Sequence, residues 1–297
     1  MHKVRKSNHP RWKLLGLGLL LLAGISAALI VPRVYNAFSL LHSGQQIDVG
    51  GRDMFVRCQG TGAPAIVLEH GLGSSGVEWS DVQQELAEDT RVCFTSRARM
   101  GFSDPVPDSQ ARTAQDAVDD LAAALSGAEI SGPYILVGHS FGGFVVRLFA
   151  NQHPNDVVGV VLVDSAHEDQ ATALRDALSP SAWSELSGLF DSENPEHMDF
   201  QASADEASRA GHLGDLPLIV LEAGQQHTDP GGTVSVETAH QIDQIMIDLW
   251  PEYQRDLSTL SHHGTHQLIG DSGHFIQTDR PDAVVDAVRS IMIQTGH

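Results

Sequence analysis

Residues 134–142 read YILVGHSFG, and the stretch 143–150 that follows reads GFVVRLFA. The first four residues predict a short buried strand, whereas the apolar spacing of the second stretch is typical of a helix. Ser140 therefore falls on a sharp strand-to-helix turn between Gly138 and Gly142, which have no Cβ to clash in so tight a bend. The turn predicts an exposed Ser140 hydroxyl, with the first N–H groups of the helix directed at any anion that forms there.

Strand-like and helix-like segments alternate on both sides of this turn. Such alternation predicts an α/β fold in which a mostly parallel central sheet carries helices on both faces. The interval 165–215 follows the sixth predicted strand and is polar and helix-prone, so we expect a helical lid there. The whole domain is expected over 46–297, with strands at 46–49, 54–58, 65–69, 91–95, 134–137, 157–163, 218–221 and 266–269, and helices at 79–87, 114–125, 143–150, 241–249 and 281–292.

The N-terminus has the pattern of a membrane anchor. Residues 1–13 carry five basic side chains and precede an uncharged run of 18 residues at 14–31. As a helix this run would be about 27 Å long, enough to cross a bilayer. The prediction is a transmembrane signal anchor with 1–13 in the cytoplasm, a linker at 32–45 and the domain on the extracytoplasmic side. The alternative is a cleaved signal peptide and a secreted domain, although no small-x-small cleavage site follows the run.

The rest of the chain is strongly acidic. After Lys13 there are 13 arginines, no lysine and all 38 aspartates and glutamates. Such a surface repels nucleic acid and anionic lipid headgroups, so neither is expected as a partner of the domain. Any mechanism that needs an amine beside the nucleophile is also excluded from it.

Four segments of the chain resemble those of serine hydrolases of the α/β-hydrolase fold, of the esterase and lipase type, over about residues 46–295. Residues 138–142 resemble the nucleophile elbow of that family, and the HGLG sequence at 70–73 resembles its oxyanion loop. The stretch SRARMGFSD at 96–104 resembles the loop after the fourth strand. The stretch DSGH at 271–274, followed by DRP at 279–281, resembles the segment of the catalytic histidine.

The resemblance implies a catalytic triad and an oxyanion hole. Serine needs a base within hydrogen-bond reach and a carboxylate that orients the base, and the order Ser, acid, His along the chain is the one this fold uses. Ser140 is then the nucleophile and His274 the base, whereas three residues are candidates for the acid: Asp164 by preference, because it ends the strand after the elbow helix, then Asp229 and Glu222. The backbone N–H groups of Leu72 and Phe141 are expected to bind the oxyanion.

Two further features follow from the same resemblance. The loop after the fourth strand has Ser96 and Arg99 where the family usually has aspartate and glycine, so Arg99 is expected either to be strained or to reach the substrate entrance. The second and fourth strands are neighbours in this fold. We therefore expect a disulfide between Cys58 and Cys93, which an exported domain would retain.

The expected activity is hydrolysis of a carboxylic ester or related small acyl substrate through an acyl-enzyme on Ser140. The same triad would also serve a carbon–carbon bond hydrolase or a cofactor-free perhydrolase, and a non-catalytic, membrane-tethered binding protein is the alternative from another class. No metal or organic cofactor is implied, and the oligomeric state is left open. Substrate choice would depend on the lid, whose apolar residues either line an acyl pocket or pack the lid internally: Leu174, Leu178, Trp183, Leu186, Leu189 and Phe190.

Overall fold

The computed structural model describes residues 43–107, 111–190, 194–225 and 234–297. Residues 45–297 form one compact unit. The predicted anchor at 14–31 and most of the predicted linker lie outside the described residues. Among the residues that are described, no helix is both long and apolar enough to cross a bilayer.

A single sheet runs through the domain. Its strands are β1 (Gln45–Asp48), β2 (Asp53–Gln59), β3 (Ala65–Glu69), β4 (Val92–Ser96), β5 (Tyr134–His139), β6 (Val157–Val163), β7 (Leu218–Ala223) and β8 (Gly264–Ile269). Their order in the sheet is β1-β2-β4-β3-β5-β6-β7-β8. The pairs β1–β2 and β2–β4 are antiparallel and every other pair is parallel, so the prediction of a mostly parallel sheet is confirmed.

Helices cover both faces of the sheet. In the described ranges they are α1 (Ser80–Leu86), α2 (Ala114–Gly127), α3 (Gly142–Gln152), α4 (Gln170–Ala177), α5 (Pro180–Phe190), α6 (Phe200–Ala210), α7 (Val236–Ser258), α8 (Ile276–Asp279) and α9 (Pro281–Thr295), and a single 3₁₀ turn, Val77–Trp79, precedes α1. Consecutive side chains of β5 point to opposite faces, as the pleat of a strand requires. Leu136 packs in the core with α2, α3 and α6. Ile135 and Val137 pack in the core with α1 and α9.

The predicted disulfide is present. Cys58 and Cys93 lie directly opposite each other in the β2–β4 ladder. Their sulfurs are bonded at 2.07 Å, and the bridge closes a loop of 35 residues. The prediction from strand neighbours is therefore confirmed.

The segment predicted as a lid divides into two parts. Helices α4 and α5 pack with α7 in an apolar cluster of their own, in which Leu174, Leu178 and Leu186 are buried. The side chain of Leu189 lies outside the described residues. Helix α6 instead belongs to the main core, where Phe200 contacts the ring of Phe144 at 5.3 Å between centroids. The second half of the predicted lid is thus a structural layer over α3.

Candidate active site

The strand-to-helix turn holds Ser140 in a left-handed backbone conformation, with φ of 51°. Its N–H donates to the carbonyl of Val163 at 3.1 Å, and its own carbonyl accepts from Gly143 N–H at 2.9 Å. The flanking glycines are required by space: a Cβ on Gly138 would lie 2.6 Å from the carbonyl oxygen of Gly142, and one on Gly142 would lie 2.6 Å from that of Glu69. The turn predicted from the sequence is therefore built as expected.

Asp164 and His274 are hydrogen-bonded to each other. Asp164 follows β6 directly, and its Oδ2 lies 2.6 Å from His274 Nδ1. The carboxylate is fully buried, whereas the imidazole is 38% exposed. The other carboxylate oxygen, Oδ1, accepts from Trp250 Nε1–H at 2.7 Å and from Ala223 N–H at 2.9 Å. Helix α7 and strand β7 thus hold the carboxylate in a fixed orientation toward the imidazole.

This arrangement fixes the tautomer of His274. A carboxylate only accepts hydrogen bonds, so the 2.6 Å contact requires a proton on Nδ1, and Nε2 keeps its lone pair in the neutral imidazole. His139, the residue before Ser140, contacts His274. Its Nε2–H donates to the His274 carbonyl at 2.9 Å, and the centroids of the two rings are 4.6 Å apart, so His274 lies at the same edge of the sheet as Ser140. In the described ranges no hydrogen bond joins Ser140 Oγ to His274 Nε2. Such contacts often form only when substrate is bound.

The other two candidate acids lie elsewhere. Glu222, at the end of β7, has its carboxylate 2.6 Å from His266 Nε2, on the neighbouring strand β8. Asp229 lies outside the described residues. Of the three carboxylates considered, the structure brings only Asp164 to His274 within the part of the chain that it describes.

The loop after β3 lies directly against the turn at Ser140. A Cβ on Gly71 would be 2.8 Å from His139 Nδ1 and 3.2 Å from the Cβ of Ser140. The next residue is Leu72, whose N–H, like that of Phe141, has no protein acceptor among the described residues. Both N–H groups belong to the two segments that meet at Ser140, and neither is used by another group of the described protein.

A buried ion cluster lies beneath this loop. Arg97 Nη1 donates to Glu69 Oε1 at 2.6 Å. Arg97 Nε and Nη2 donate to Glu196 Oε2 at 2.7 Å and Oε1 at 2.8 Å. Arg97 also donates to the carbonyls of His70 and Gly71 at 2.7 and 2.9 Å. All three charged side chains are at most 2% exposed.

The charges in this cluster shift each other's pKa values. Burial raises the pKa of Glu69, although the charge of Arg97 opposes this shift. For Arg97, burial alone would lower the pKa, but the two carboxylates more than compensate and raise it. The sequence motif pointed to Arg97 only as part of a loop. The roles of Glu69 and Glu196 were missed because they depend on contacts between segments far apart in the chain.

Two buried histidines near the site are held neutral. Burial, followed by the charge of Arg97, lowers the pKa of His70 well below its ordinary value. His70 Nε2 accepts from Arg97 N–H at 3.1 Å, so its Nδ1 is the protonated nitrogen and donates to the Gly71 carbonyl. Burial, followed by the proximity of His274, similarly lowers the pKa of His139. Neither histidine therefore adds a positive charge beside His274.

Arg99 has the strained backbone that replacement of a glycine implies, with φ of 70°. Its guanidinium donates to the carbonyls of Pro195 and Val106 at 3.0 and 3.2 Å. Arg99 therefore braces the segment that carries Glu196.

Residues 64–230 match a family model described as alpha/beta hydrolase fold. A probable transporter, efuK, of Hormonema carpetanum is 38% identical over 142 residues, which cover 46% of this chain but only 20% of that protein. The uncharacterized protein YqjL of Bacillus subtilis is 30% identical over 78% of this chain and 85% of its own length. Lipase LipV of Mycobacterium tuberculosis is 27% identical over 80% of this chain and 97% of its length.

Among solved structures, a thermophilic esterase from Thermogutta terrifontis is similar to this chain with a TM-score of 0.59. The superposition covers 85% of this chain and 98% of the esterase, at 19% sequence identity. The likeness at this level of identity concerns the fold.

Proposed function

Because the chain belongs to the α/β-hydrolase fold family, we propose that it is a serine hydrolase that cleaves carboxylic esters through an acyl-enzyme on Ser140. The observation that carries the proposal is the 2.6 Å contact between the buried Asp164 carboxylate and His274 Nδ1. The similarity to a protein named as a lipase supports an ester as the substrate.

In the proposed reaction, Ser140 Oγ attacks the ester carbonyl while His274 Nε2 takes the hydroxyl proton. The C–Oγ bond forms as the carbonyl oxygen becomes an oxyanion, which the N–H groups of Leu72 and Phe141 bind. His274 then gives its proton to the leaving alcohol, and the C–O bond to that alcohol breaks. Water, activated by the same imidazole, releases the acid and restores Ser140. Each oxyanion donor is worth about 3–4 kcal/mol of transition-state stabilisation.

The surroundings of His274 favour the imidazolium that forms during each step. Asp164 supplies one full negative charge to Nδ1–H, and its orientation is fixed by Trp250 and Ala223. The nearest second imidazole, His139, is held neutral by burial and by His274 itself, so it does not repel the transient charge. A preorganised site of this kind needs little rearrangement when charge develops.

We place the domain outside the cytoplasm, attached to the membrane by residues 14–31. The Cys58–Cys93 bridge supports this placement, because disulfides persist in oxidising compartments. The acidic surface of the domain favours neutral acyl substrates over anionic ones.

A fluorophosphonate probe tests the proposal without knowledge of the substrate. The full chain is incubated with the probe, the modified peptide is identified by mass spectrometry, and p-nitrophenyl esters of increasing acyl length are assayed in parallel. We expect labelling at Ser140 that is lost in Ser140→Ala and His274→Ala and kept in Ser126→Ala, a control on the exposed side of α2.

The outcomes separate the alternatives. Labelling with ester turnover supports the proposal. Labelling without turnover of any ester would favour a carbon–carbon bond hydrolase or a perhydrolase on the same residues. No labelling of a folded protein would favour a non-catalytic binding protein.

A further inference from the structure

We propose that Glu196, in the segment between α5 and α6, is a positioning residue that holds the oxyanion turn at Leu72 and Gly73 in its binding geometry. The inference rests on the proposed function, because it assumes that the Leu72 N–H binds an oxyanion. Nothing in the local sequence around Glu196 indicates this role.

Glu196 contacts the turn directly and through Arg97. Its Oε1 accepts from Gly73 N–H at 2.6 Å and from the Arg97 guanidinium at 2.8 Å, while its Oε2 accepts from Arg97 Nε at 2.7 Å. Arg97 in turn donates to the carbonyls of His70 and Gly71. The peptide unit after Leu72 is therefore bonded to Glu196 directly, and the one before it is bonded to Glu196 through Arg97. The Leu72 N–H belongs to the second of these units, so its position depends on the same buried carboxylate.

The segment that presents Glu196 is itself rigidly held. Asn194 Oδ1 accepts from the N–H groups of Glu196 and Met198, both at 3.1 Å. Arg112 donates its N–H to the His197 carbonyl at 2.8 Å. Arg99 adds a hydrogen bond to Pro195. Because these hydrogen bonds restrain the backbone around Glu196, its carboxylate can define the position of the turn.

The backbone of the turn needs such a fixed partner. Gly73 adopts φ of 74°, and a Cβ there would meet no atom within 4 Å. The side of Gly73 on which a Cβ would lie is therefore open. Two hydrogen bonds restrain the turn: Ser74 N–H to the Gly71 carbonyl at 3.2 Å closes it locally, and Gly73 N–H to Glu196 ties it to the Arg97 cluster. An oxyanion donor displaced by a few tenths of an ångström loses much of its effect, because the bond requires a distance near 2.7–3.1 Å.

The first test measures the turn without any chemistry. Amide hydrogen exchange of a peptide covering residues 70–76 is compared between the wild type, Glu196→Gln and Glu168→Gln, a control that also loses a carboxylate paired with a buried arginine, Arg147, but is hydrogen-bonded neither to the turn nor to the segment that carries Glu196. An amide has one acceptor oxygen where the carboxylate has two, so in Glu196→Gln an NH2 group faces either Gly73 N–H or Arg97 Nε–H, and the neutral side chain no longer balances the charge of Arg97. We expect at least tenfold faster exchange in this peptide for Glu196→Gln only.

The second test measures the oxyanion site. Ser140 Oγ adds to the carbonyl carbon of a trifluoromethyl ketone, the hydroxyl proton passes to His274, and the carbonyl oxygen becomes an oxyanion. For Glu196→Gln we expect kcat on p-nitrophenyl esters to fall 10- to 100-fold with KM changed less than threefold, and ketone affinity to fall in parallel. Glu168→Gln should change neither by more than twofold, even if both variants melt at lower temperature.

A milder variant covers the case in which Glu196→Gln does not fold. Arg99→Gln removes the bond to Pro195 without leaving a buried charge unpaired, and it should lower kcat and ketone affinity three- to tenfold. Unchanged exchange and an unchanged ratio of ketone affinity to KM in these variants would overturn the proposal. If the wild type itself lacks esterase activity, the proposed function fails, whereas the exchange experiment still decides whether Glu196 holds the turn.

Discussion

Replacing Asp164 by asparagine should nearly abolish catalysis while leaving the fold intact, for a reason that the structure specifies. The Oδ1 position of this side chain receives two donors, Trp250 Nε1–H and Ala223 N–H. An asparagine will therefore turn its carbonyl oxygen toward them and its NH2 group toward His274. The reverse orientation would set an NH2 group against two buried donors, each left unsatisfied at a cost of about 1–3 kcal/mol.

With the NH2 group facing it, His274 Nδ1 must accept a hydrogen bond instead of donating one. The ring proton then resides on Nε2, which can no longer take the proton of Ser140. A wrong tautomer of this kind lowers kcat about 10⁴-fold, which corresponds to about 5.5 kcal/mol of transition-state stabilisation. KM should change little, because binding of the ester does not require the proton transfer.

The assay combines steady-state hydrolysis of p-nitrophenyl esters with ¹⁵N NMR of the histidine side chains. The spectrum should show His274 protonated at Nδ1 in the wild type and at Nε2 in Asp164→Asn. Glu222→Gln is the matched control, since it removes a carboxylate bonded to a histidine on the next strand and should leave kcat within twofold. Activity within tenfold of the wild type in Asp164→Asn, or a large loss in Asp229→Asn, would refute the assignment of the acid.

Three further predictions concern the frame of the site. Gly71→Ala should lower kcat at least 100-fold with KM little changed, because the new Cβ would lie 2.8 Å from His139 Nδ1. If ester kinetics instead show an unchanged kcat, the substitution affects only stability. Burial lowers the folded-state pKa values of His70 and His139, so the contribution of the two neutral imidazoles to the free energy of unfolding is complete above the unfolded-state pKa near 6.5 and is lost as pH falls below it. In His70→Asn the slope of the free energy of unfolding against pH should therefore fall by about 1.4 kcal/mol per pH unit between pH 5 and 6, and equal slopes for variant and wild type in urea titrations would contradict this. The variant with Cys58 and Cys93 both replaced by serine should lose about 4 kcal/mol of unfolding free energy, because the bridge closes a loop of 35 residues and so restricts the unfolded chain. A loss below about 1 kcal/mol in chemical denaturation would contradict this.

The sequence was sufficient to predict those features that depend on local pattern. The alternation of apolar runs predicted the sheet, and Ser140 between two glycines predicted the elbow. Asp164 was favoured because it ends a strand next to the elbow strand, and parallel strands bring their carboxyl ends to one edge. The bridge from Cys58 to Cys93 followed from strand neighbours in the family that the chain resembles.

Features that depend on distant contacts were not predicted. Trp250 lies 86 residues from the Asp164 carboxylate that it orients, and Glu196 lies 123 residues from Gly73. Neither residue belongs to a short motif, so only the folded chain shows these pairs. In physical terms, side-chain hydrogen bonds between separate elements leave no periodic signal in the sequence.

Helix α7 shows how a local signal can be underestimated. The predicted helix covered 241–249, whereas the observed helix, Val236–Ser258, continues through Pro251. Its buried residues recur at helical spacing on both sides of the proline: Ile242, Met246, Trp250, Gln254 and Leu257. Burial of this face outweighs the loss of one backbone hydrogen bond, which a rule based on proline alone does not anticipate.

The two side chains proposed as nucleophile and acid share a backbone feature that explains why the sheet edge holds them so firmly. Ser140 and Asp164 follow neighbouring strands, and both have positive φ values, 51° and 42°. Each such conformation costs about 1–2 kcal/mol for a residue other than glycine. Both residues nevertheless keep ladder-like hydrogen bonds, Ser140 N–H to Val163 and Asp164 N–H to the Leu221 carbonyl at 2.7 Å. The parallel ladder therefore continues past both strand ends and stabilises the two positive-φ residues, of which Asp164 contacts His274. A substitution that weakens β6 or β7 should lower kcat before it unfolds the domain, as ester kinetics and thermal unfolding of the same variant would show.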